Sequence, residues 1–276
     1  MILLLNRKKV LLHFLKACSL LLLIALIATA CSKEENEEEI TVLQEVSNTN
    51  TDTSSAPVDT TKTPNSRNSF IDARDGNGYT FVSIGSQVWM AENLKYLPAV
   101  VPSDSSSFKV PLYYVYGYQG NDTAAAKATD NYRNYGVLYN FSAAAQGGAL
   151  DPEIPNQIKG VCPEGWHLPT DAEWTQLTDY LGGRPFAGGK LKATDTTFWK
   201  SPNTAATNET GFTALPAGFR ASNNKFEDIR KNAFFWSATE NGANLAWFRN
   251  MSHLYGDVYR IDFFKESALC VRCIRD

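Results

Sequence analysis

Residues 162–183 read CPEGWHLPTDAEWTQLTDYLGG, and the second half of this stretch predicts a helix over residues 171–181. Thr170 suits the N-cap position, and Glu173 completes a capping box, in which two side chains satisfy backbone N–H groups at the helix start. The glycine pair at the end of the stretch is a typical C-terminal stop. The helix has one apolar face, formed by Trp174, Leu177 and Leu181.

The sequence on either side of this helix predicts short strands. Residues 75–78, DGNG, are a strong hairpin signal, and residues 79–84 and 88–90 after them read as two strands. Beyond Phe198 we expect an antiparallel sheet from five segments bounded by turns, at residues 211–215, 234–239, 245–251, 255–263 and 268–274. Residues 70–276 therefore predict one α+β domain.

The first 30 residues read as a secretory signal peptide. They carry four basic and no acidic residues, followed by an apolar run of 12 residues at 17–28. A membrane-spanning helix needs about 20 apolar residues, so the run is short for a span. A signal anchor, in which the segment is retained, is the alternative.

Residues 28–31, ATAC, resemble a bacterial lipobox. The resemblance implies cleavage before Cys31 and lipidation of that cysteine, and several acyl chains on one residue would anchor the protein firmly in a membrane. Five glutamates then fall between residues 34 and 39. Such a run resembles the export signal that sends some lipoproteins to the surface of two-membraned bacteria, which predicts an outer-membrane lipoprotein that faces the cell exterior. A solvated acidic linker is the alternative.

Residues 31–69 are predicted to be a disordered tether. After the acidic run the segment is rich in Thr, Ser and Asn and has no aromatic residue before Phe70. Such a composition buries too little apolar surface to offset the entropy of ordering. A flexible chain of this length spans roughly 35 Å, which holds a domain clear of lipid headgroups.

Seven blocks of the chain, taken in order, resemble the Fibrobacter succinogenes major paralogous domain family. The resemblance covers about residues 70–276 and implies a C-type-lectin-like fold with two short helices and a twisted antiparallel sheet. The same broad fold includes the formylglycine-generating enzymes, whose helix start is similar to residues 168–174. The matching blocks are residues 75–79, 84–94, 162–174, 211–212, 218–220, 235–240 and 271–276.

The resemblance pairs Cys162 with Cys273 in a disulfide bond and leaves Cys270 as a departure from the family pattern. The alternative is that Cys270 and Cys273 form a redox or copper-binding pair of the formylglycine-generating type. Residues three apart in a strand point to opposite faces, which is poor geometry for joint ligation.

The composition and motifs narrow the function classes. The formal net charge is −3, which argues against a nucleic-acid partner. The sequence has no Gly-x-Ser-x-Gly elbow, phosphate loop or His-Glu-x-x-His helix. We therefore expect no enzyme activity, no catalytic residues, no cofactor and no metal. A hydrolase with paired carboxylates, or a copper oxidase, is the remaining enzymatic alternative.

The predicted ligand-binding residues lie in the last third of the chain, where lectin-like folds carry their ligand loops. Aromatic side chains there could stack on sugar faces, although burial in the core and surface salt bridges are rival explanations. We expect a glycan, a polysaccharide or another surface protein as ligand; a structural role in an envelope or appendage assembly is the alternative. The predicted residues are Trp236, Glu240, Trp247, Arg249 and Asn250.

Overall fold

A computed structural model of the chain describes residues 68–146 and 158–276. The predicted signal peptide, the lipidation site Cys31 and the tether as far as residue 67 lie outside the described residues. The described residues belong to one compact unit. None of the helices in these two ranges is long and apolar enough to cross a bilayer.

The described residues form short helices, and the helix predicted from the capping box is the longest of them. It spans Asp171–Tyr180 and carries both hydrogen bonds of the box: Thr170 Oγ1 accepts from the Glu173 N–H at 3.2 Å, and Glu173 Oε2 accepts from the Thr170 N–H at 2.7 Å. This prediction is confirmed. The helices are α1 Thr123–Lys127, α2 Asp130–Tyr135, α3 Phe141–Ala145, α4 Asp171–Tyr180 and α5 Arg184–Leu191.

The strands pair antiparallel in three curled sheets, ordered β1-β2-β3-β13-β6, β4-β5-β12-β7-β8 and β11-β10-β9. The domain is therefore a mixed α+β fold, as the sequence predicts. The first six strands are β1 Asn68–Ile71, β2 Gly78–Ile84, β3 Gln87–Met90, β4 Tyr113–Tyr114, β5 Leu138–Asn140 and β6 Trp166–His167. The others are β7 Ala217–Arg220, β8 Phe226–Ile229, β9 Asn232–Glu240, β10 Leu245–Ser252, β11 Tyr259–Phe264, β12 Ala268–Leu269 and β13 Ile274–Arg275.

Most predicted strands are present, but residues 268–274 contain two separate short strands, β12 and the start of β13, and the strand predicted at residues 211–215 is wrong. Phe212 and Ala214 are buried there, yet the segment contributes only a single bridge, from Ala214 to Lys192. Gly211 and Thr213 have φ values of +71° and +57°, which interrupt extended backbone. The strand forms instead a few residues later, at β7.

The β9–β10 hairpin lies between two hydrophobic clusters. Trp236 and Phe248 point into the first cluster, while Phe235 and Met251 point into the second, where Trp174 of α4 also packs. Because both faces of the hairpin are covered, successive residues of β9 are buried on opposite sides. One end of this hairpin contributes to the wall of a cleft.

His167 joins the start of α4 to the end of β13. Its Nδ1 lies 2.7 Å from Asp276 Oδ1, and its Nε2 lies 2.8 Å from Glu173 Oε1. Burial lowers the pKa of His167, but the hydrogen bonds and charges of the two carboxylates outweigh burial, so the pKa lies above its ordinary value. A protonated ring donates to both carboxylates.

Candidate functional site

A cleft of about 580 Å³ opens at one end of the β9–β10 hairpin. It lies between the start of α3, the turn at residues 241–244 and the loop at residues 108–109. Its volume falls in the range of small-molecule sites, which is about 300–1,000 Å³. The lining residues share a mixture of apolar and polar groups: Phe108, Lys109, Phe141, Ser142, Ala145, Ile158, Glu240, Ala243, Asn244 and Lys265.

The base of the cleft is fixed by an aromatic pair. The Phe141 ring packs edge-on against Trp236, with ring centroids 5.5 Å apart and planes at 80°. Trp236 is itself fully buried, and its Nε1–H donates to the Tyr139 carbonyl at 2.8 Å. Trp236 therefore supports the cleft from below and does not face it.

Lys265 braces the rim of the cleft. Its ammonium group donates to the carbonyls of Gly242 and Ala243 at 3.2 and 2.9 Å and lies 3.0 Å from Glu240 Oε1. Its backbone carbonyl accepts from the Phe141 N–H at 2.9 Å. Lys265 thus connects the β9–β10 turn to the start of α3. Its side-chain hydrogen bonds are charge-assisted, and such bonds are stronger than neutral ones.

A buried asparagine holds the opposite wall. Asn140 caps α3 through its Oδ1, and its Nδ2 donates to the carbonyls of Ser107 and Val110, both at 2.9 Å. Ser142 adds a hydrogen bond from its hydroxyl to the Lys109 carbonyl at 2.6 Å. The loop that presents Phe108 is therefore anchored to the same helix that supplies the base.

The groups that a ligand can reach are one aromatic ring and several polar side chains. Phe108 is 40% exposed, and the Glu240 side chain is 59% exposed although one of its oxygens faces Lys265. Asn244 and Lys109 add an amide and a second ammonium group. An aromatic face beside acceptors and donors can hold a molecule that has one apolar face and several hydroxyl groups.

The structure does not bring the five predicted ligand-binding residues together. Glu240 lines the cleft, but Trp236 is part of the core. In the β9–β10 register Trp236 lies opposite Phe248, which fixes its side chain in the first hydrophobic cluster. The prediction of Trp236 as a ligand contact is therefore wrong, because a fully buried ring cannot stack on a sugar.

The prediction of Arg249 as a ligand contact is also wrong. It is fully buried, its Nη1 donates to Asp171 Oδ1 at 2.7 Å, and its Nη2 donates to the Asp171 carbonyl at 2.9 Å. Burial lowers the pKa of this guanidinium, and the hydrogen bond and charge of Asp171 only partly offset that effect. Arg249 fastens β10 to the first turn of α4, so its role is structural.

Trp247 and Asn250 lie outside the cleft as well. Trp247 is half-buried and does not line the cleft, and the Arg260 guanidinium lies 3.5 Å from its ring centroid. Asn250 is half-buried and donates to the Ala233 carbonyl at 3.1 Å, within the hairpin. Both residues therefore serve contacts inside the domain.

The sequence patterns do not predict four of the residues that line the cleft, namely Phe108, Phe141, Asn244 and Lys265. Phe108 lies in a long polar stretch without periodicity, so no pattern marks it. The turn between two predicted strands at residues 241–244 was the one available signal, because ligand contacts concentrate in loops on a rigid scaffold.

The cysteines are arranged as the resemblance implies. Cys162 and Cys273 form a disulfide bond with a Cα–Cα distance of 6.0 Å, and Cys270 is a free, buried thiol. Burial raises the pKa of Cys270 to about 12, which leaves it a poor nucleophile and a poor metal ligand. Cys270 and Cys273 therefore do not act here as a dithiol pair.

Acidic, histidine and cysteine side chains are the usual metal ligands besides water. Within residues 68–146 and 158–276, no three of them are close enough together to hold a metal ion.

The family model described as Fibrobacter succinogenes major domain matches residues 82–275, which include every residue that lines the cleft. No curated protein and no solved structure matches the chain significantly.

Proposed function

Since the chain belongs to the Fibrobacter succinogenes major domain family, we propose that it is a binding protein of the cell envelope whose cleft recognises a glycan. In this proposal Cys31 carries the lipid anchor, the tether spaces the domain from the outer membrane, and the domain faces the cell exterior. No catalytic residue is part of the proposal.

The composition of the cleft is the observation that carries the ligand class. Sugars present apolar C–H faces and many hydroxyl groups, so they suit a site with an exposed ring beside carboxylate, amide and ammonium groups. Phe108 supplies the ring, while Glu240 and Asn244 supply the acceptors and donors. Lys265 and Lys109 offset the Glu240 charge, which favours a neutral or acidic sugar over a basic one.

The rigidity of the cleft also supports a binding role. Its aromatic base is buried, and its rim is held by the hydrogen bonds of Lys265 and Asn140. A site whose groups are already held in place loses little conformational entropy on binding, which improves affinity for a given set of contacts.

Binding can be measured on the lipid-free chain from residue 32, made with its disulfide bond intact. We would screen it on a glycan array and on insoluble polysaccharides, with and without EDTA. The expected result is saturable binding that survives EDTA and weakens at least tenfold in Phe108→Ala and in Glu240→Gln. Phe186→Ala is the matched control, because Phe186 is 65% exposed on α5 and does not line the cleft.

Each contrary outcome has a distinct meaning. Binding that disappears in EDTA would point to a bound metal and contradict the cleft as described. Binding that resists both cleft variants would place the ligand elsewhere on the domain. If neither format shows binding, the ligand is another surface protein or the role is structural, and cross-linking on intact cells separates those two cases.

The proposed location has its own test. Protease added to intact cells should remove the domain, and Cys31→Ser should release the protein from the membrane fraction. Full protection from the protease in intact cells, with digestion only after the outer membrane is opened, would contradict the surface location.

A further inference from the structure

Strand β11 is an exposed sheet edge. It spans Tyr259–Phe264 at one end of the sheet ordered β11-β10-β9 and pairs with β10 along its whole length on one side. Every second residue of an edge strand directs its N–H and C=O away from the neighbouring strand. Among the described residues, no backbone hydrogen bond joins the outer side of residues 259–264 to another strand.

This edge has few of the features that prevent pairing with another chain. Edge strands are commonly protected by proline, by charged side chains, lysine above all, or by a bulge, and here the charges are Arg260 and Asp262. Residues 259–264 read YRIDFF and contain neither proline nor lysine. The pairing of β10 with β11 is regular from end to end, and Ile261 is 43% exposed.

The side-chain order of β11 is self-complementary about Ile261. If two copies of this strand pair antiparallel with Ile261 opposite itself, Arg260 of each copy lies opposite Asp262 of the other, and Tyr259 lies opposite Phe263. Opposite charges and aromatic pairs directly across two strands are favourable, whereas like charges are unfavourable. A strand that complements itself in this way fits a twofold-symmetric interface.

The two charged side chains are already held on one face of the strand. Arg260 Nε donates to both oxygens of Asp171 at 2.9 Å, and its guanidinium lies over Trp247. Asp262 Oδ2 accepts from Asn241 Nδ2 at 2.6 Å. These contacts reduce the freedom of both side chains before any partner arrives, so less conformational entropy is lost when a second copy pairs.

We propose that β11 is a homodimer interface, in which two copies of the chain join their three-stranded sheets through antiparallel β11–β11 pairing centred on Ile261. The inference does not depend on the ligand of the cleft. Its consequence for an anchored protein is bivalency, because two linked domains on one surface bind a repetitive partner more tightly than either domain alone.

A symmetric cross-link tests this register directly. In the proposed pair the two Ile261 Cα atoms are about 4.5–5.5 Å apart, which is within the range that a disulfide bond spans. The Phe264 Cα atoms of the two copies would be about 20 Å apart, six residues out of register. Ile261→Cys should therefore give a disulfide-linked dimer of the full-length protein in intact cells, seen on a non-reducing gel.

Phe264→Cys is the matched control, since Phe264 is 47% exposed on the same strand. We expect at least tenfold less cross-linked dimer from it, and none from the unaltered chain, whose one free thiol among the described residues is buried. Equal yields from the two positions, or no dimer from Ile261→Cys, would overturn the proposal.

Charge exchange tests the proposed pairing by a second route. In the Ile261→Cys background, Arg260→Asp and Asp262→Arg each place like charges opposite one another and should lower the dimer yield at least fivefold. The double exchange restores opposite charges and should recover the yield, although it still lacks the Arg260–Asp171 contact within the domain. A double exchange as poor as the single ones would show that Arg260 and Asp262 do not pair across two copies, and would overturn the proposal.

Discussion

Removal of the Cys162–Cys273 disulfide bond is expected to cost the domain a large part of its stability. The bond joins residues 111 positions apart in the sequence. In the chain-entropy model, closure of a loop of that length lowers the free energy of folding by about 5 kcal/mol at 25 °C. Single domains typically have an unfolding free energy of about 5–15 kcal/mol, so this one bond accounts for a third or more of the total.

The substitution that removes the bond can leave the native packing nearly intact. Both sulfurs are buried beside the apolar cluster that contains Val161 and Val271, so alanine introduces no unsatisfied hydroxyl group. Cys270 should be replaced by alanine in every variant, because a free third thiol could exchange with either partner. The comparison is then between Cys270→Ala and the triple alanine variant.

Urea unfolding, followed by tryptophan fluorescence, measures the difference. We expect the midpoint to fall and the free energy of unfolding to drop by about 5 kcal/mol, which corresponds to a loss of about 10–20 °C in Tm for a domain of this size. The tryptophan bands of the near-ultraviolet circular dichroism spectrum of the folded state should not change. A loss below about 1 kcal/mol would refute the entropic account, and an altered native spectrum would locate the loss in the folded state instead.

Three further predictions concern local features. Because the folded pKa of His167 is raised, its contribution to stability is complete below about pH 6.5 and disappears as the pH rises through the folded pKa. The free energy of unfolding should therefore fall over that pH window, and His167→Asn should abolish this pH dependence. A pH dependence that is unchanged in His167→Asn would contradict the role of His167. Thr170→Ala should lower the free energy of unfolding by about 1 kcal/mol, because the capping box is lost. Thr170→Ser should leave it nearly unchanged in the same urea assay. Gly160→Ala should lower the free energy of unfolding by about 1–3 kcal/mol, because its φ is +59° and a Cβ would clash with the Ala144 carbonyl oxygen. Gly165→Ala, also at positive φ but with open space around it, should lower it less. An equal loss in the two variants would show that the clash is unimportant.

The parts of the fold that sequence predicts well are those decided locally. Helix α4 has its cap, its apolar face and its glycine stop within one short stretch, so nothing distant is needed to place it. The prediction of a strand at residues 211–215 was wrong although buried and partly exposed residues do alternate there, because the extended backbone is interrupted at Gly211 and Thr213. Apolar periodicity reports which residues are buried, and it does not report whether the backbone between them stays extended.

The site was harder to predict because both faces of the β9–β10 hairpin are buried. In a strand with one solvent-exposed face, alternating polar and apolar residues indicate which side faces the core. Here Trp236 and Phe235 are both core residues, on opposite sides of the strand. An aromatic residue in such a strand cannot be assigned to a ligand or to a core from sequence. Glu240, predicted as a ligand contact, lines the cleft because it stands where the strand ends.

The position of Glu240 depends on the same stretch that decides the fold. Trp236 pairs with Phe248 and Glu240 pairs with Ala246, so β9 contains two more residues than β10 between these pairs. A bulge of this kind bends the strand and redirects the side chains after it.

The bulge is held by the start of α4. The Ala238 N–H donates to the Pro169 carbonyl at 2.8 Å, and Thr239 Oγ1 accepts from the Asp171 N–H at 3.0 Å. The capping-box segment therefore does two things: it begins a helix, and it holds the extra residues of β9 away from β10. Glu240 follows directly after them and is left on the rim of the cleft beside Lys265, so the local signal that is easiest to read in the sequence also sets the geometry of the site that is hardest to read.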